Sequence, residues 1–113
     1  MAAREHLSRQ FTDKKGEVHD IIANRYGSVE AKSGQMRTGS LEVMLGFYND
    51  EEVKNRKLRG NHLIYGISVK GNYKRRGIAN AMFNLAEENY GPIEIGSTSK
   101  EGGEWKKQIE ESK

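Results

Sequence analysis

A chain of 113 residues without a cysteine has room for one domain and one core, and for no disulfide framework, thiolate nucleophile or Cys-based zinc site. Charged residues make up 31% of it and no 18 apolar residues run together, which excludes a membrane-spanning helix, and the Met1–His6 start lacks the apolar stretch of a secretory leader, so a cytoplasmic protein is expected. The net charge of +3 has one source: residues 54–76 hold Lys54, Arg56, Lys57, Arg59, Lys70, Lys74, Arg75 and Arg76 and no acid, a local block that suits an anionic ligand with a defined seat.

Along the chain, Ala3, Leu7 and Phe11 stand at helical spacing and predict a short helix over 3–11, with Thr12–Gly16 as a break. Val18, Ile21, Ile22 and Tyr26 predict a second helix over 17–25, stopped by Gly27. The period then changes to two. Val29 and Ala31 alternate with Glu30 and Lys32 in a weak strand, and Leu41, Val43, Leu45 and Phe47 alternate with Glu42, Met44, Gly46 and Tyr48 in a stronger one. A long polar connection, 49–61, follows. Leu63, Tyr65, Ile67 and Val69 mark a third strand, and the three are expected to form an antiparallel meander with one face on the core. After the loop 70–76, Ile78, Ala81, Met82, Leu85 and Ala86 share one stripe of a helix that ends at Gly91-Pro92. Ile93–Ile95 is a short strand, 96–103 a loop of small residues, and a last helix from Glu104 carries Trp105 and Ile109.

The chemistry concentrates between Ile67 and Leu85, where a strand, a basic turn and an amphipathic helix follow one another. Unpaired N–H groups and the positive dipole end at such a helix start suit a phosphate or pyrophosphate, and Gly77 lets the backbone approach it closely. Neither a P-loop nor the Rossmann glycine triplet is present. The stretch Tyr73-Lys74-Arg75-Arg76-Gly77-Ile78-Ala79-Asn80-Ala81-Met82 resembles the acetyl-coenzyme A pyrophosphate loop of the GNAT-type N-acetyltransferases. The family pattern Gln/Arg-x-x-Gly-x-Gly/Ala falls on Lys74, Gly77 and Ala79, with Lys a departure in the first position.

That resemblance implies an α+β fold of αβα layers, with a mixed, mostly antiparallel sheet and helices on both faces, over a single domain spanning 1–113. It implies acetyl-CoA as co-substrate: the backbone of Ile67, Ser68 and Val69 would pair with the pantetheine arm, and Lys74, Arg75, Arg76, Gly77, Ile78, Ala79 and Asn80 would hold the pyrophosphate. The acceptor would be a primary amine of a small molecule or protein. Against the family pattern, the scaffold is expected to be truncated, lacking the last strand pair, and no Tyr stands on the last helix to act as general acid. A catalytically reduced cofactor-binding or protein-interaction module is therefore an alternative. A further alternative is a nucleic-acid binder using residues 54–76, with Tyr65 and Tyr73 stacking on bases. Candidate groups for proton transfer are Glu42 and His62, and Ser97 is a hydroxyl placed to meet a leaving thiolate. No His and carboxylate pair has metal-ligand spacing, and a homodimer is expected to close the uncovered sheet edge.

Overall fold

The computed structural model describes residues 6–95. Among them the elements run β1 (His6–Thr12), β2 (Val18–Asn24), β3 (Ser28–Ser33), β4 (Met36–Met44), α1 (Asp50–Arg56), β5 (His62–Val69), α2 (Ile78–Tyr90) and β6 (Ile93–Ile95), with a 3-10 turn at Gly71–Tyr73. The strands lie side by side in chain order, antiparallel throughout except for the parallel pair β5–β6. The sheet curls into a half-barrel.

Period-two alternation puts one residue set on the inner face. Leu7, Ile21, Ala23, Val29, Ala31, Leu41, Val43 and Ile64 are all buried there. The helix α2 crosses this face against β1 to β5 and meets it with Ile78, Met82, Phe83, Leu85 and Ala86. Spacings of three and four along α2 gather these side chains on one stripe, while Asn84 and Glu88 face solvent. At the far end the buried Tyr90 donates its hydroxyl to the Asn24 carbonyl, which ties the helix to the turn between β2 and β3.

The layered αβα arrangement expected from the sequence is not formed. The segments predicted as helices over 3–11 and 17–25 are the strands β1 and β2, paired from His6↔Asn24 to Thr12↔Val18. Their helical spacing is accidental. The inward set of β2 is His19, Ile21 and Ala23, whereas Val18 is 49% exposed and Tyr26 71% exposed. What separates the two strands is a hairpin turn in which the Asp13 carboxylate accepts from the amides of Lys15 and Glu17, and Gly16 takes a positive φ. With both segments in the sheet, no helix among the described residues layers its outer face. The short α1 buries none of its residues.

The polar connection 49–61 does contain that helix. Asn49 and Glu52 form a reciprocal capping box, three acids occupy its first turn, and Lys57 closes it in a left-handed conformation. Among the described residues no helix is long and apolar enough to cross a membrane. The predicted loop 96–103, with Ser97, and the helix from Glu104 lie outside the described residues.

Candidate functional site

Among the described residues β6 pairs with β5 over His62–Ile64. From Tyr65 to Val69, β5 has β4 as its strand partner among the described residues. On the other side of β5 the β4–β5 register slips: Val43 faces Ile64 but Glu42 faces Gly66, which makes Tyr65 the extra residue of a bulge. Past the bulge Ile67 and Val69 pack on the core, and Ser68 is exposed on the other face.

The chain leaves β5 through a tight turn. The Lys70 amide donates to the Thr38 carbonyl and the Tyr73 amide to the Lys70 carbonyl. Two residues are left-handed, Arg75 with φ of 64° and Gly77 with φ of 93°. For Arg75 this is a costly conformation, held by what surrounds it. Gly77 is the N-cap of α2 and makes no side-chain cap. The first intrahelical bond runs from the Ala81 amide to the Gly77 carbonyl, so the amides of Ile78 and Ala79 have no acceptor within the helix. The exposed Lys74 and Arg75 flank them.

The Arg76 side chain points the other way. It is 13% exposed and contacts Asp13 Oδ2 at 3.1 Å and Glu17 Oε1 at 3.3 Å. The Arg76 carbonyl accepts from the Lys14 amide, and the guanidinium lies 4.5 Å from the Tyr73 ring centre. Asp13 also accepts from His19 Nε2 at 2.7 Å, and His19 Nδ1 lies 3.0 Å from the Thr38 hydroxyl. Glu17 accepts from the hydroxyls of Ser33 and Tyr73. Burial opposes the charge on Asp13, but the bonds from His19, the Glu17 amide, Arg76 and the Lys15 amide outweigh it and hold the carboxyl well below its ordinary value. The Ser33 hydroxyl does most to hold Glu17 low, against burial, with Tyr73 and Arg76 adding to it. Donation to Glu17, then burial, pushes the Tyr73 phenol up. His19, Thr38 and the Asp13 carboxylate form a Thr-His-Asp chain, yet His19 and Thr38 are fully buried, so no substrate reaches it. Its work is to fasten the turn before α2 to the hairpin before β2.

Of the remaining sequence candidates, Glu42 projects from the outer face of β4 opposite Gly66 and accepts from the Ser28 hydroxyl. His62 has both nitrogens engaged: the Gly46 amide donates to Nδ1 at 2.9 Å, and Nε2 donates to the Tyr90 carbonyl at 2.8 Å. Both ring nitrogens are thus committed within the fold, and His62 stands as a tie between the end of β4 and the end of α2. The basic block does not form one surface. Lys54, Arg56 and Lys57 precede one end of β5 and Lys70, Lys74 and Arg75 follow the other, and the strand between them spans about 23 Å at ~3.3 Å per residue. Arg59 forms a bidentate pair with Glu87, and Tyr73 is buried, so neither is presented as a nucleic-acid contact. Among the described residues no group of three or more His, Cys, Asp or Glu side chains is placed to hold a metal ion.

The sequence reading missed Asp13, Glu17, His19 and Thr38. A histidine inside a strand of alternating burial was the one available signal, and it was hidden by the helical reading of 17–25. No family model, curated protein or solved structure matches the chain.

Proposed function

We propose that the protein transfers an acetyl group from acetyl-CoA to a primary amine. The observation that carries this reading is the succession of β5, bulged at Tyr65, the basic turn with left-handed Arg75 and Gly77, and the N-terminus of α2. A pantetheine arm is a string of amides, and the extended Ile67–Val69 backbone offers amides and carbonyls of the kind that it can pair with. A pyrophosphate suits the amides of Ile78 and Ala79, with Lys74 and Arg75 supplying charge. The sequence likeness around Gly77 supports the same reading. In the transfer, the amine nitrogen forms a bond to the thioester carbon as the carbon–sulfur bond breaks. The amine proton passes to the Glu42 carboxylate, and the thiolate leaves and takes a proton from solvent. Glu42 is chosen because it lies opposite Gly66 beside the Tyr65 bulge, and because the Ser28 hydroxyl orients it.

Calorimetry with acetyl-CoA, and release of the coenzyme thiol with a panel of amines, test the reading. The Lys74→Glu/Arg75→Glu variant is expected to weaken binding strongly. Glu42→Gln is expected to lower kcat by about 10²–10⁴ while leaving acetyl-CoA affinity unchanged. No binding at millimolar acetyl-CoA, or equal binding by the charge-reversed variant, overturns the proposal. Binding without thiol release from any amine leaves a coenzyme-binding module.

A further inference from the structure

The short helix α1 is capped at both ends, yet it buries none of its residues. Its charges are segregated. Asp50, Glu51 and Glu52 occupy the first turn, Lys54 and Arg56 the last, and Lys57 is the C-cap. Among the described residues none of these six forms an ion pair. The helix dipole favours this order of charge, but it does not account for the aromatic pair beside the helix. Phe47 is 49% exposed, its ring meets that of Tyr48 in a T-shape at 4.8 Å, and the Arg56 guanidinium lies 5.2 Å from the Tyr48 ring centre.

From this pattern we infer that α1 and Phe47 form an interface with a second copy of the chain, the two helices running antiparallel across a two-fold axis. Three acids and three bases cancel, so the helix as a whole attracts neither a polyanion nor a polycation. What it matches is its own reversal. With the axis passing between Val53 and Lys54, Asp50 stands opposite the partner's Lys57 and Glu51 opposite the partner's Arg56, and symmetry makes each pair occur twice. A copy seated there also covers the Phe47 ring, an aromatic side chain of the kind enriched at interfaces. A helix of seven residues is about 10 Å long, too short to bury the ~800 Å² per partner of a standard interface, so the pairing is weak and forms at high protein concentration. It gives the Lys54–Lys57 half of the basic block a use, on a surface other than the sheet edge, and it is independent of the acetyl-transfer reading.

Sedimentation equilibrium of the full chain at concentrations up to about 1 mM tests this. The average mass of wild type is expected to climb from one copy toward two, and less so as salt is added. Two variants divide the charges: Asp50→Lys/Glu51→Lys makes both ends of the helix basic, and Arg56→Glu/Lys57→Glu makes both ends acidic. Both keep the Asn49–Glu52 capping box, and the thermal midpoint confirms that each is folded. Each alone is expected to associate about tenfold or more weakly than wild type, because attraction is replaced by repulsion at four contacts. Mixed in equal amounts, the two should associate at least as well as wild type. That recovery is what a self-complementary interface requires and a local structural role of the charges does not supply. A wild type that stays monomeric throughout the range overturns the proposal. So does a dimer that persists in both variants, which lies on another surface, or a mixture that stays as monomeric as its components.

Discussion

Replacing Gly77 by alanine is expected to destabilise the protein by about 2 kcal/mol, half from backbone strain and half from collision with Phe11. Two other glycines provide the scale. Gly16, Gly77 and Gly27 have φ of 87°, 93° and 99°, so an alanine at each meets a similar left-handed penalty of about 1 kcal/mol. Their surroundings differ. A Cβ meets nothing within 4 Å at Gly16, the Phe11 ring at 3.1 Å at Gly77, and the Val43 carbonyl oxygen at 2.2 Å at Gly27. Gly16→Ala therefore reports strain alone, about 1 kcal/mol, and Gly77→Ala adds a ring that must give by a few tenths of an ångström. Gly27→Ala, blocked by backbone, costs about 4 kcal/mol or prevents folding. Urea unfolding followed by circular dichroism at constant m-value measures all three. In a Phe11→Leu background the excess of Gly77→Ala over Gly16→Ala should vanish, because the atom in the way is gone. Equal costs at Gly16 and Gly77, or an excess that survives Phe11→Leu, would refute the argument.

Acid should act through the buried carboxylates. Asp13 and Glu17 are held below their ordinary values of 3.8 and 4.5, so the folded state binds fewer protons than the unfolded one at acid pH. The stability they contribute is complete above those values and drains away as the pH falls below them. Urea midpoints from pH 7 to pH 3 should drop more steeply for wild type than for Asp13→Asn, and parallel curves would contradict this. Phe83 is fully buried where α2 meets the sheet, so Phe83→Ala should cost about 3–5 kcal/mol and Phe83→Leu much less. Asn49→Ala removes the capping box of a helix that buries nothing. Amide exchange should quicken across 50–56 while the global unfolding free energy changes by less than about 1 kcal/mol.

What was legible in the sequence was whatever buries a regular apolar set. The inward residues of β3 and the second half of β4 alternate, and the stripe of α2 is a clean helical period, so these elements and the short β6 could be read directly; β5 was legible as a strand, but its bulge buries Ile64 and exposes Tyr65, so its inward set was not. The N-terminal hairpin could not, because its inner face includes His19 and its outer face includes Val18 and Ile22, which together imitate a helix. Nor could α1 be read from apolar period, since it has no buried residue; its signal lay in the Asn49 and Glu52 caps alone. The basic turn was recognised, but charge counting treated all of its cations alike. The carboxylates that take Arg76 inward lie 63 and 59 residues earlier in the chain, at Asp13 and Glu17. Such pairing is a property of the closed fold and leaves no local trace.

Since β1 to β4 succeed one another as neighbours, most of the sheet assembles from short-range hairpins. Until α2 arrives, that meander is a trough with an uncovered greasy lining. The residues that open the helix, Arg76 and Gly77, also end the basic turn, so the turn cannot loosen without lifting the helix from the trough. A molecule gripping the turn would thus act as a fastener for the whole chain. Its occupancy should register as resistance to global unfolding, growing with ligand concentration as RT ln(1 + [L]/Kd).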